Sequence, residues 1–144
     1  METIEDLKQW ITKECFNEER VFINGDWKAL FLGYGIEQTS DGFIAFYFER
    51  GERDILFSST SEKEVVELFQ IELQEEKSLK SHFLIMFKSE KLKNQCLEEL
   101  KPLGLNIEFD EIPYNGPKDI RYRIFVNGCG FELAKPLIEK YQEE

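Results

Sequence analysis

Residues 40–57 read SDGFIAFYFERGERDILF, and the period of two inside this stretch restricts the fold more than any other feature of the chain. Ile44, Phe46 and Phe48 alternate with Phe43, Ala45 and Tyr47, which puts the two sets on opposite faces of a strand. Asp41-Gly42 before the run and Gly51 after it are turn signals, so the run is the middle of a meander. Upstream, Leu30, Leu32, Tyr34 and Ile36 alternate with Ala29, Phe31, Gly33 and Gly35, a large face against a partly small one that invites close packing. Asn24-Gly25 lies between apolar runs and predicts a type I′ hairpin, whose two central residues need positive φ. Four antiparallel strands are expected, one before residue 24 and the others over 27–37, 43–50 and 53–58.

Helical patterns flank the meander. Ile4, Leu7, Ile11 and Cys15 recur at helical spacing behind Thr3 as N-cap, with Glu5 and Asp6 in the first turn. After the meander, Ser61 with Glu64 forms a capping-box pattern, and Val65, Leu68, Phe69 and Ile71 carry the period. SHFLIMF, residues 81–87, is a continuous apolar run that suits a strand covered on both faces. Ser89 opens a helix through Leu92, Cys96, Leu97 and Leu100, which Pro102 and Gly104 stop. Strands over 106–112 and 119–126 follow, then a closing helix with Leu133, Leu137, Ile138 and Tyr141 on one face and Pro136 blurring its start.

The order αββββα-βαββα predicts an α+β fold with a mostly antiparallel sheet flanked by helices, taken as a single domain over 1–144. The sheet is mixed if residues 82–112 form a parallel crossover. Two smaller sheets are the other arrangement, with a boundary near Lys77 to Ser81 too short and too helical for a flexible linker.

Chemistry is excluded more readily than assigned. His82 is the single histidine, so histidine-dependent nucleophilic and multi-histidine metal sites all hang on one position, and no catalytic, metal or cofactor residue is assigned. Cys15, Cys96 and Cys129 are odd in number and widely spaced, which predicts reduced thiols rather than a disulfide framework or paired metal site. No run of about eighteen apolar residues occurs, and METIEDLKQW carries acids where a signal peptide needs bases, so a cytoplasmic protein without membrane attachment is expected. With 29 acids against 18 bases the net charge is −11, which disfavours nucleic acid and anionic membranes and favours a basic partner.

Two candidate contact regions follow from this. Glu49, Glu52 and Asp54 cluster at one turn and Glu108, Asp110 and Glu111 near another, while Asp26 and Trp27 combine a charge with a hot-spot residue type. For Trp27 the favoured reading is a core position. Aromatic residues crowd both faces of the meander; four helices suffice to cover both, and the other reading is an exposed aromatic face for a partner or a homodimer. The alternative site is an anion or ligand pocket at Asn127-Gly128-Cys129-Gly130, where a strand, two glycines and a helix start would present backbone N–H groups and lower a thiol pKa.

The meander WKALFLGYGIEQTSDGFIAFYFERGERDILF, followed by a capped acidic helix in a small acidic chain, resembles the immunity proteins encoded beside polymorphic toxins, including those of LXG-type systems. The resemblance implies a non-enzymatic, stoichiometric inhibitor of a cognate toxin domain that presents a basic surface.

Overall fold

The computed structural model describes residues 1–24, 27 and 30–142, and the chain divides into two compact units, Met1–Lys80 and Ser81–Glu144. The α+β class holds, and the strands form two sheets rather than one.

The first unit runs α1 (Ile4–Lys13), β1 (Val21–Ile23), β2 (Leu32–Thr39), β3 (Gly42–Glu49), β4 (Glu52–Ser59) and α2 (Glu62–Glu75), with the sheet in sequence order. Both helices start as their sequences dictate. The Asp6 amide donates to Thr3 Oγ1 at 3.0 Å while the Thr3 amide donates back to Asp6 Oδ2 at 3.2 Å, a reciprocal capping box. The backbone amides of Glu2 and Thr3, both donating to its carboxylate, hold the Asp6 carboxyl below its usual range. Ser61 accepts from the Glu64 amide at 3.2 Å.

The meander is β2–β3–β4. Thr39 pairs with Gly42 and Glu49 with Glu52, so both connections are two residues long. In the second, Arg50 and Gly51 have φ of 52° and 81°, the positive pair a type I′ turn requires. A bulge in β4 at Leu56, between the pairs Ala45–Phe57 and Phe46–Ile55, breaks its alternation.

The hairpin expected at Asn24-Gly25 is corrected. β1 pairs with β2 in parallel, Val21 opposite Tyr34, and the sheet is mixed. Asn24 does adopt φ of 44°, but its amide donates to the Ile36 carbonyl at 3.1 Å and its side chain accepts from the Gln38 amide at 3.1 Å, so it extends the ladder along β2 instead of reversing the chain. Gly25 lies outside the described residues.

The face of this sheet bearing Ile36 and Ala45 packs against Leu7 and Ile11 of α1 and Val65, Val66, Phe69 and Leu73 of α2. Leu68 and Ile71 are exposed, because a 65–69–73 stripe turns them outward. On the opposite face Phe46 and Phe48 are fully buried under Trp27, with ring centroids 5.7 and 5.8 Å from the indole. Helices were expected to cover both faces; on the second, Trp27 from the β1–β2 connection covers Phe46 and Phe48 instead, and Ile55 stays half exposed. The small face of β2 explains how the ring fits, since a Cβ on Gly35 would lie 2.6 Å from the Phe46 ring.

The second unit comprises β5 (Ser81–Phe87), α3 (Glu90–Leu100), β6 (Asn106–Pro113), β7 (Ile120–Asn127), α4 (Phe131–Ala134) and α5 (Pro136–Lys140). Its sheet order is β5-β7-β6, both pairings antiparallel. β5 and β6 are therefore parallel to each other, as a crossover requires, but β7 lies between them. This corrects the reading of SHFLIMF as a doubly covered strand: β5 is an edge. A bulge after Phe83 lets consecutive Leu84 and Ile85 both be buried, so an unbroken apolar run needs only one covered face, and Phe83 stays half exposed. Leu84, Ile85, Phe87, Ile124 and Val126 join Cys96, Leu100 and Ala134 in the core. Pro136 splits the closing helix in two, and Ala134 takes the buried position expected for Leu133, which is exposed. The expectation of reduced thiols holds at Cys96, whose thiol is pushed up to about 11 chiefly by burial, and is corrected at Cys15 and Cys129, neither of which is a free thiol.

Candidate functional site

The β3–β4 hairpin gathers three of the acids singled out in the sequence. Alternation places Tyr47 and Glu49 on one face of β3, and the register sets Asp54 opposite Tyr47 and Glu52 opposite Glu49. Tyr47 donates its hydroxyl proton to Glu49 Oε2 at 3.3 Å. Glu49, Glu52, Asp54 and Tyr47 line an open depression of about 420 Å³ together with Arg50 and Arg53, so the acids exceed the bases there by one. Like charges directly opposite one another weaken a ladder, so the Glu49–Glu52 pair works against the strand pairing that presents it.

A second depression of about 400 Å³ continues from this one, sharing Tyr47 and Asp54 and reaching Tyr34, Glu72, Glu76 and Arg20. The Tyr34 and Tyr47 rings meet edge to face, with centroids 5.2 Å apart. Both phenols are raised above the usual value: Tyr34 by burial and then the charges of Glu76 and Glu72, Tyr47 by burial and then Glu49. Both bases of the hairpin tip, Arg50 and Arg53, also border the first depression, and each has a further contact. Arg53 pairs with Glu37 at 2.6 Å and lies over the Phe46 ring, on the sheet's opposite face, and Arg50 lies over Phe31.

The other predicted positions fare differently. Trp27 is buried, which removes it from the exposed surface, and Asp26 lies outside the described residues. Glu108, Asp110 and Glu111 sit along edge strand β6, where alternation turns Glu111 to the face opposite the other two. Asp110 is held by Arg123 across the ladder in a two-pronged pair, Nε to Oδ1 at 2.8 Å and Nη2 to Oδ2 at 2.5 Å. That pair lowers the Asp110 carboxyl below its usual range, so this acid serves the unit's own structure.

The glycines of Asn127–Gly130 have structural duties. Gly128 has φ of 79°, and a Cβ on Gly130 would meet Leu105 Cδ2 at 2.5 Å, so one makes the turn and the other admits a core leucine. The helix after them, α4, is four residues long, too short to offer an anion site, and Cys129 is not a free thiol that it could activate. His82 stacks on Phe131 with centroids 5.2 Å apart. Among the described residues no group of three or more His, Cys, Asp or Glu is placed to hold a metal ion, and no helix is long and apolar enough to cross a membrane.

Tyr34, Glu72, Glu76 and Arg20 were missed in the sequence although part of the signal was there. A turn at Ser40–Asp41 fixes the register that sets Tyr34 opposite Tyr47. The 65–69–73 stripe likewise places residues 72 and 76 along its border.

Fold and site together define an α+β protein with an acidic, tyrosine-lined cleft on a four-stranded mixed sheet. No family model, no curated protein and no solved structure matches the chain.

Proposed function

We propose that the chain is a non-enzymatic protein-binding module, an immunity protein that neutralises a cognate toxin in the cytoplasm by forming a stoichiometric complex. The observation that carries this reading is the convergence of Glu49, Glu52 and Asp54 beside Tyr47 on one two-residue hairpin. Acids at such a rim steer a basic partner into contact and fix its register, while the neighbouring aromatic surface supplies residence time. The unfavourable Glu49–Glu52 pairing points the same way, since it makes poor sense as a stabilising device.

The test is co-expression of the tagged chain with the product of the neighbouring gene. A 1:1 complex by light scattering is expected. Its association rate should fall as salt shortens the screening length from about 30 Å at 0.01 M to about 10 Å at 0.1 M. Failure to recover a partner, or an association rate indifferent to salt, would overturn the proposal.

A further inference from the structure

The cleft that extends from the hairpin tip to the end of α2 has a chemistry of its own. Asp54 of β4 and Glu72 and Glu76 at the end of α2 face it from two elements, against Arg20 as the opposing base, so the lining is net negative. Tyr34 and Tyr47 supply ring surface, and Leu32, Leu56 and Leu79 supply apolar wall. A purely acidic surface would attract cations without seating them. This one combines carboxylates, π faces and an apolar wall, the three elements that a long cationic side chain uses together. Its volume of about 400 Å³ is within the usual range for small-ligand sites.

We infer that this cleft is a receptor for a lysine side chain of a protein partner, its ammonium directed to Glu72, Glu76 and Asp54 and its methylene stem laid on the tyrosines and leucines. Lysine suits the arrangement better than arginine because the acids converge from two elements, β4 and the end of α2, where one point donor can reach several of them at once. An ammonium donates in three directions from one point, whereas a guanidinium is matched by a coplanar, two-pronged acceptor. The negative field is already felt by the Tyr34 hydroxyl, whose ionisation Glu76 and Glu72 oppose after burial. The inference rests on the protein-binding reading and narrows it to one chemical anchor.

The experiment is an NMR titration of the full chain with capped tetralysine, following the Tyr34 and Tyr47 ring signals. Saturable shifts centred on those rings are expected, and they should vanish with fully acetylated tetralysine. The double variant Glu72→Gln/Glu76→Gln should bind about tenfold more weakly, as loss of two charge-assisted contacts implies. Arg20→Gln should bind more tightly, because it removes the competing base. The double variant Glu108→Gln/Glu111→Gln loses the same charge in the other unit and should bind as the wild type does. Equal weakening by both doubles would reduce the effect to net charge and overturn the inference, as would tighter binding of tetraarginine. Tetralysine seated in the cleft with no toxin recovered on co-expression would sustain the site and sink the immunity reading. A toxin captured equally well by Glu72→Gln/Glu76→Gln, with no tetralysine shifts at the tyrosines, would do the reverse.

Discussion

The sequence up to Lys80 carries 18 acids against 9 bases, whereas the sequence from Ser81 onward carries 11 against 9. The difference lies in use as well as number. In the second unit Asp110 pairs with Arg123, Asp119 with Arg121 at 2.9 Å, and Glu99 with Lys140, so acids tie strands and helices to their own unit. In the first, Glu49, Glu52 and Asp54 crowd one rim, and two of them oppose each other across a ladder. The sheets differ in the same sense. The second face of the four-stranded sheet buries its own cluster of Trp27, Phe46 and Phe48, with Ile55 half exposed beside it, whereas the buried residues described in the second unit all belong to one cluster and Phe83 lies half exposed outside it. The acidic rim therefore stands on the sheet that buries a cluster on each face, a platform for charges that do not help it fold.

Breaking that platform should give the largest effect. Phe46→Ala removes a fully buried ring that touches Trp27 and Phe48, and should cost about 3–5 kcal/mol in urea unfolding. Phe83→Ala, at a side chain 50% exposed, should cost roughly 1 kcal/mol or less. Equal losses would erase the contrast between the two sheets. Next in size is Gly35→Ala. The new Cβ would lie 2.6 Å from a Phe46 ring that is buried and cannot swing away, so a loss of about 1–3 kcal/mol is expected. Combining it with Phe46→Leu should recover part of that loss, since the two changes share one contact. Strict additivity would show that Gly35 is not there to admit the ring.

The alternation that makes Phe46 so sensitive was legible in the sequence, because a strand's period of two fixes which side chains share a face. Helix starts at Thr3, Ser61 and Ser89 were legible for a similar reason: a cap is a local hydrogen bond, and Ser89 does accept from the Leu92 amide at 3.2 Å. Pairing direction was not legible. Asn24 has the conformation its turn signal implies, yet the partner of β1 is chosen by contacts with Tyr34 and Ile36, ten or more residues away. Bulges hide in the same way, since Leu84 and Ile85 read as a doubly covered strand until the ladder shows the extra residue. At the site, the acids of one hairpin could be read together. Their neighbours Glu72 and Glu76 could be placed on the border of the α2 stripe, but which strands they face depended on how α2 lies against the sheet.

The ion pairs of the second unit give a smaller effect with a pH signature. Asp110→Asn should cost about 0.2–1 kcal/mol at neutral pH, because both partners are a third or more exposed and solvent screens the pair. The sign follows from the lowered Asp110 carboxyl: its contribution is complete above the unfolded value near about 3.9 and is lost as pH falls through the folded one. Wild type and variant should therefore differ in urea midpoint at pH 7 and converge in strong acid. A difference that persisted in acid would assign the effect to packing rather than charge.

The smallest expected change in stability is the one that separates folding from function most sharply. Glu52→Lys replaces a like-charge pair with an opposite one directly across the β3–β4 ladder from Glu49. Cross-strand pairs of this kind are worth about 0.2–1 kcal/mol, so the variant should be as stable as the wild type or slightly more so. The same substitution reverses a charge on the rim that we propose faces a basic partner, and association should slow, most of all at low salt. Thermal unfolding and stopped-flow association measured on one preparation would separate the two effects. A variant that gains stability and loses partner binding places the Glu49–Glu52 repulsion in the service of recognition. If stability fell instead, the carboxylate would be needed by the hairpin itself, and the contrast between an acidic rim for recognition and acids for internal pairing would collapse at its central residue.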